Sequence, residues 1–231
     1  MPLPHDPENP QSKPLLSCFY YPHFMVKQVD IGEKGAQQLS ILYREEGRGQ
    51  PSCQRTNTED EFVIDQRQWS GYFEGVRGNF VFFVGADGEN GGSWFSVYSA
   101  MYGTRVFVNA AASELLSIDS ILAVAQNGTN RETESGIKLR YRRMYEASCS
   151  LRLDEKKCWA NIKEITGLTE VSPLNCKTSY EAGEKKYPRE AKSLESDPSV
   201  ITYDVEVVLD SSNRVARVTP ISKARGCIPA E

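Results

Sequence analysis

Histidine is almost missing from this 231-residue chain: only His5 and His23 occur. A Ser-His-Asp or Cys-His mechanism needs an imidazole held in place as base. His5 stands in a run that also contains Pro2, Pro4, Pro7 and Pro10. That leaves His23, which follows Pro22 at the start of a strand-like segment. No GxSxG nucleophile elbow is present. The Gly85–Gly92 stretch matches neither phosphate-cradling glycine pattern. No CxxC pair or short Cys/His pair offers zinc spacing. These absences set the expectation of no catalytic centre, no cofactor and no metal.

Other absences bear on partners. No apolar run approaches the ~18 residues of a membrane-spanning helix. The net charge is -4, the reverse of the basic footprint that nucleic-acid binding leaves. Neither a low-complexity tract nor a convincing repeat is found. Expected partners are therefore proteins rather than nucleic acid.

The chain is not short of cysteine. Cys18, Cys53, Cys149, Cys158, Cys176 and Cys227 form an even set spread along the sequence. That usage suits a disulfide framework built in an oxidising compartment. The expected location is secreted or periplasmic, although no secretory leader is visible in Met1–Pro14. Six cysteines allow 15 pairings. Cys158 with Cys176 is the preferred local bridge, with Cys149–Cys158 as competitor.

The pattern of apolar residues predicts a mainly β fold. It is expected to be an antiparallel sandwich or barrel-like body with one or two short helices, a β-propeller-like arrangement being the alternative. Repeated proline makes 1–17 a flexible arm, and 18–231 reads as one β-rich domain. Strands are expected at Phe24–Val29, Leu39–Tyr43 and Asn79–Val84, the last apolar throughout as in a strand buried on both faces. A meander through Trp94–Tyr98 and Arg105–Val108 follows a turn at Asp87–Gly92. Ile137, Leu139 and Tyr141 alternate with Lys138, Arg140 and Arg142, the period of a half-exposed strand. Ile201–Leu209, a turn at Asp210–Asn213 and Arg214–Ile221 form a terminal hairpin. Residues 113–125 fit either a helical stripe or a strand.

One helix is clear. Asp154 can cap it, Cys158, Trp159, Ile162 and Ile165 share a face, and Gly167 can end it in the left-handed conformation. Residues 46–60 and 170–198 are polar and read as long loops.

Few residues point to chemistry. Asp60, Glu61 and Asp65 lie near Trp69 and Tyr72, as acids and aromatics do in glycoside-cleaving sites. Asp60, Asp65 and Glu74 carry the reading of a carboxylate-dependent glycan- or lipid-active hydrolase. Asp87, Glu89 and Asn90 could supply oxygens to a calcium ion, but the same residues are those that turns select. Asn127-Gly128-Thr129 is a glycosylation sequon. Lys138, Arg140 and Arg142 point one way from a strand, with Arg143 beside them, and suit phosphate, an acidic lipid surface or an acidic partner. With Trp69 and Tyr72 they are the binding candidates. The function expected is a non-enzymatic binding or inhibitory module of the bacterial envelope. A structural envelope component is a further alternative.

Overall fold

The computed structural model describes residues 15–44, 49–90, 92–124, 132–171, 174–210 and 216–230. It is mainly β, with two antiparallel sheets and three short helices. The four-stranded sheet holds β1 (Leu15–Tyr20), β2 (Phe24–Asp30), β3 (Gln38–Tyr43) and β4 (Glu61–Asp65), in that order. The remaining strands are β5 (Gly71–Arg77), β6 (Phe80–Glu89), β7 (Gly92–Ser99), β8 (Arg105–Val124), β9 (Glu132–Glu146), β10 (Ser199–Asp210) and β11 (Ala216–Pro229). They form a meander in the order β11-β10-β9-β8-β7-β6-β5. Helices α1 (Glu155–Thr166), α2 (Lys177–Lys186) and α3 (Ala191–Ser196) fill the connection from β9 to β10.

The chain divides into two compact units. The first comprises Met1–Gly88 with Trp94–Val108, and the second Glu89–Ser93 with Asn109–Glu231. In the first, Phe24, Val26, Leu39, Ile41 and Ile64 of the four-stranded sheet share a core with Val81, Phe83 and Tyr98. Faces of two sheets closing on one apolar layer is the sandwich mode of packing.

A buried cation holds the long loop of this unit. Lys27 is 1% exposed. Its Nζ pairs with Glu61 at 2.8 Å and donates to the carbonyls of Gln54 and Thr56 and to Asn57 Oδ1. Cys18–Cys53 ties the same loop to β1. The loop that the sequence placed at 46–60 is thus fastened by one covalent and several polar bonds.

In the second unit α1 forms as expected. Asp154 accepts from the Lys157 N–H, and Gly167 adopts φ 75° at the end. Cys158, Trp159 and Ile162 are buried, while Ile165 is 55% exposed and falls outside the apolar face.

Several expectations are corrected. The local bridge is Cys149–Cys158, not Cys158–Cys176; Cys176 joins Cys227 instead. Cys158 lies nine positions after Cys149, and α1 begins within that span, which brings Cys158 back over Cys149. Residues 170–198 are not a loop throughout, since α2 and α3 lie there. Both are short and polar, and α2 buries only Tyr180, so no apolar stripe announces them. Of the two readings open for 113–125, the strand is the one that forms over the described residues 113–124, as part of β8. Register shifts against β9 at Leu115 and Leu122 break the period of two that would have identified it. Strand β6 continues through Asp87 and Gly88, leaving the turn to Asn90 at φ 51°. Leu15–Ser17, assigned to the arm, already belong to β1. The rest of the arm, with His5, the sequon at Asn127 and the turn at 211–213 lie outside the described residues.

Two outcomes follow for stability. Lys27→Met leaves the Glu61 carboxylate buried without its cation and should cost about 3–5 kcal/mol in denaturant unfolding. Adding Glu61→Gln should recover part of that loss. Replacing Cys176 and Cys227 together by Ala should cost about 2–4 kcal/mol in the same measurement. Free-thiol titration of the unfolded, unreduced wild type should find no reactive cysteine.

Candidate functional site

The period of two in β9 and β10 builds the site. Ile137, Leu139 and Tyr141 are fully buried, as are Tyr203, Val205 and Val207 on β10. Residues between them must face the other way. On β9 these are Lys138, Arg140 and Arg142, and on β10 Asp204 and Glu206. The antiparallel register sets Arg140 opposite Glu206 and Arg142 opposite Asp204. Directly opposed residues on one face are within reach of each other.

Two cation–carboxylate–cation triads result. Glu206 receives the Arg140 Nε and Nη2 at 3.1 and 3.0 Å, and Lys138 Nζ lies 3.3 Å from its other oxygen. Asp204 receives Arg142 Nε at 2.9 Å, and its second oxygen holds Arg225 Nη2 of β11, also at 2.9 Å. The carboxylates lie underneath. Asp204 and Glu206 side chains are 10% and 23% exposed, against 46% for Arg140 and 53% for Arg225. The outermost charge is therefore positive, although the whole chain is acidic. Arg217 extends the row on β11: it is exposed and stands opposite Val208, which in turn stands opposite Lys138.

The hydrogen bonds from Arg140 hold Glu206 below its ordinary carboxylate range; burial opposes them, and Lys138 adds to the lowering. Arg143, next in sequence, faces the other way. Its guanidinium donates to Tyr203 OH at 2.9 Å and to Asn109 Oδ1, and lies over the Tyr145 ring. Burial raises the Tyr203 hydroxyl above its usual value, and Arg143 pulls it back.

The face adjoins a cleft made by a bulge in β11. Tyr203 pairs with Ala224 and Val205 with Pro220, so Ile221, Ser222 and Lys223 stand opposite Asp204 alone. Side chains replace the interrupted ladder bonds. Ser222 Oγ accepts from the Asp204 N–H, and Glu170 Oε1 accepts from the Ala224 N–H at 2.7 Å. Trp159 of α1 donates to the Glu170 carbonyl and fixes the opposing loop. Between the loop and the bulge lies a cavity of about 790 Å3, with Leu168, Val171, Leu174 and Ile221 on its walls. Small-molecule and side-chain pockets commonly span ~300–1,000 Å3.

The other residues singled out in the sequence are not gathered here. Trp69 is 9% exposed within the core of the first unit. Tyr72 OH accepts from the Gly35 N–H and donates to the Glu33 carbonyl, bracing a turn. Asp65 caps the N–H groups of Arg67 and Gln68. Asp60 and Glu74 are exposed, and Glu61 is the partner of Lys27. His23 is exposed ahead of β2. Asp87 is paired with Lys34, and Asn90 donates to Glu146. Among the described residues no three metal-ligating side chains form a group that could hold an ion.

Sequence reasoning found the β9 cations but not their carboxylates, Arg225 or the bulge. The alternation of Ile201–Leu209 held a signal for Asp204 and Glu206. Nothing in the sequence revealed the register that sets them against arginines. Because Glu206 titrates below its ordinary value, its contribution is complete above that value and is lost as pH falls through the lowered one. Glu206→Gln should therefore destabilise by less than about 1 kcal/mol at neutral pH. Thermal melts of wild type and variant should draw together as pH falls below the ordinary glutamate range. No family model matches the chain, and no match is found among curated proteins or solved structures.

Proposed function

We propose that the protein is a non-enzymatic binding or inhibitory module of an oxidising compartment outside the cytoplasm, such as the bacterial envelope. In this reading it recognises an acidic protein partner through the exposed face of β9, β10 and β11. The observation that carries the reading is the layered charge on that face: cations outermost, each carboxylate beneath and shared by two of them. Arginines held in this way are pre-organised, so less side-chain freedom is lost on binding. Arginine is also enriched at protein interfaces, unlike lysine.

Three disulfides support an oxidising location. Two of them lie in the unit that bears the face, and Cys176–Cys227 fastens α2 to the end of β11. A rigid β scaffold with braced loops is the usual support of recognition surfaces. The apolar cleft beside Ser222 offers a place for an anchoring side chain, the feature from which interfaces draw most of their affinity.

The test is affinity capture from an extracellular or envelope fraction with wild type and with Arg140→Glu/Arg142→Glu. Wild type should retain a defined partner at about 0.1 M salt and release it near 1 M, where the Debye length falls from ~10 Å to ~3 Å. The double variant, shown to be folded by its melting curve, should retain none. Recovery of the same proteins by both would defeat the proposal.

A further inference from the structure

We infer that the segment recognised on this face is an extended chain with acidic residues at alternate positions, lying along the strand direction. The inference rests on the binding role proposed above and names the conformation of the partner.

Spacing is the first argument. Lys138, Arg140 and Arg142 occupy alternate positions of one strand, so their Cα atoms repeat at about 6.6–6.8 Å. An extended segment with acidic residues at i, i+2 and i+4 repeats at the same interval. An acidic helix does not, because its like-facing positions are three and four residues apart.

The second argument is how the guanidiniums are already used. Arg140 spends Nε and Nη2 on one Glu206 oxygen, and Arg142 binds Asp204 through Nε. Their planes are thereby fixed over the sheet and keep donors for an incoming row of carboxylates. A carboxylate takes such donors along two directions. Each triad carries one net positive charge, so two triads and Arg217 favour several spaced anions over one concentrated one.

The third argument is the guarded edge of β11. Pro220 lacks an N–H, the bulge interrupts the strand, and Arg217, Lys223 and Arg225 line it. These are the devices by which proteins stop another strand from adding to a sheet. A second copy pairing antiparallel through β11 would also oppose cation to cation. The partner therefore lies on the face and does not extend the sheet. At the Arg142–Arg225 end it meets Ser222 and the cleft, where an apolar residue of the segment can enter.

Fluorescence anisotropy with labelled peptides of about 11 residues tests this. One peptide carries Glu at alternate positions separated by Thr. The other has the same composition with its Glu residues contiguous. The alternating peptide should bind about tenfold tighter at about 0.1 M salt, as expected when several surface pairs form in register. Arg142→Glu should remove that preference, and so should Arg140→Glu, which guards against a folding defect in either variant. Equal affinity for the two peptides would overturn the inference. So would absence of binding up to millimolar peptide, or binding only to vesicles of phosphatidylglycerol. If capture of a partner still depends on Arg140 and Arg142 while the peptides bind alike, the recognition face stands and only the extended-segment reading falls.

Discussion

Burial of one face of β9 and β10 is the constraint on which the site depends. Ile137, Leu139, Tyr141, Tyr203, Val205 and Val207 have no exposed surface. A slip of one residue in either strand would carry every one of them to the opposite face and bring charged residues into the core. Burying an unpaired arginine or carboxylate is far more costly than any surface ion pair is favourable. The core thus selects the register, and the register places Arg140 on Glu206 and Arg142 on Asp204. The ion pairs are a consequence of packing and contribute little to it. Their importance lies in the orientation they impose on the guanidiniums.

The same hierarchy appears in the first unit with the signs reversed. Alternation turns Lys27 away from the face of β2 that carries Phe24 and Val26, yet it is buried because the 54–61 segment covers it. It is tolerated because every Nζ donor finds an oxygen from the 54–61 segment. A fully satisfied buried ion is strongly committed to one arrangement. The 49–60 segment ahead of β4 therefore has a defined path without a core of its own, and Cys18–Cys53 closes it from the other side.

How much of this was legible in the sequence follows from which forces are local. The alternation of β9 and β10, the caps of α1 and the even cysteine set can be read from neighbours in sequence. The outward row of Lys138, Arg140 and Arg142 was legible for that reason. Their partners were not, because Asp204 and Glu206 are more than sixty residues away and meet them only through the register. The bulge at Ile221–Lys223 was hidden too. Its sequence continues the strand pattern, and only Ser222 and Glu170, standing in for lost ladder bonds, reveal that the strand bends. Helix α2 escaped because its stability comes from Tyr180 and the Cys176–Cys227 bridge and not from an apolar stripe. Trp69 and Tyr72 stand beside acids in the sequence and are binding candidates for that reason. In the fold one fills the core, and the other braces a turn at Glu33 and Gly35 that is distant in sequence.

The bulge also explains how a basic face and an apolar cleft come to adjoin. A regular β11 would continue the ladder opposite Asp204 and leave the sheet flat. Three residues opposite one force the chain outward, and the displaced backbone would lose its partners. Ser222 supplies an acceptor for Asp204 N–H and Glu170 one for Ala224 N–H, which offsets that loss. Glu170 is held in turn by Trp159 from α1, whose first turn is cross-linked to Cys149. Helix, loop and bulge are therefore one mechanical unit, with the cleft enclosed between them. Asp204 belongs to both structures: its carboxylate gathers Arg142 and Arg225, and its N–H anchors the bulge. Loss of this one carboxylate would release two guanidiniums, one of which, Arg225, also donates to Ser222 of the bulge. That coupling joins the charged face and the apolar cleft into one structural unit.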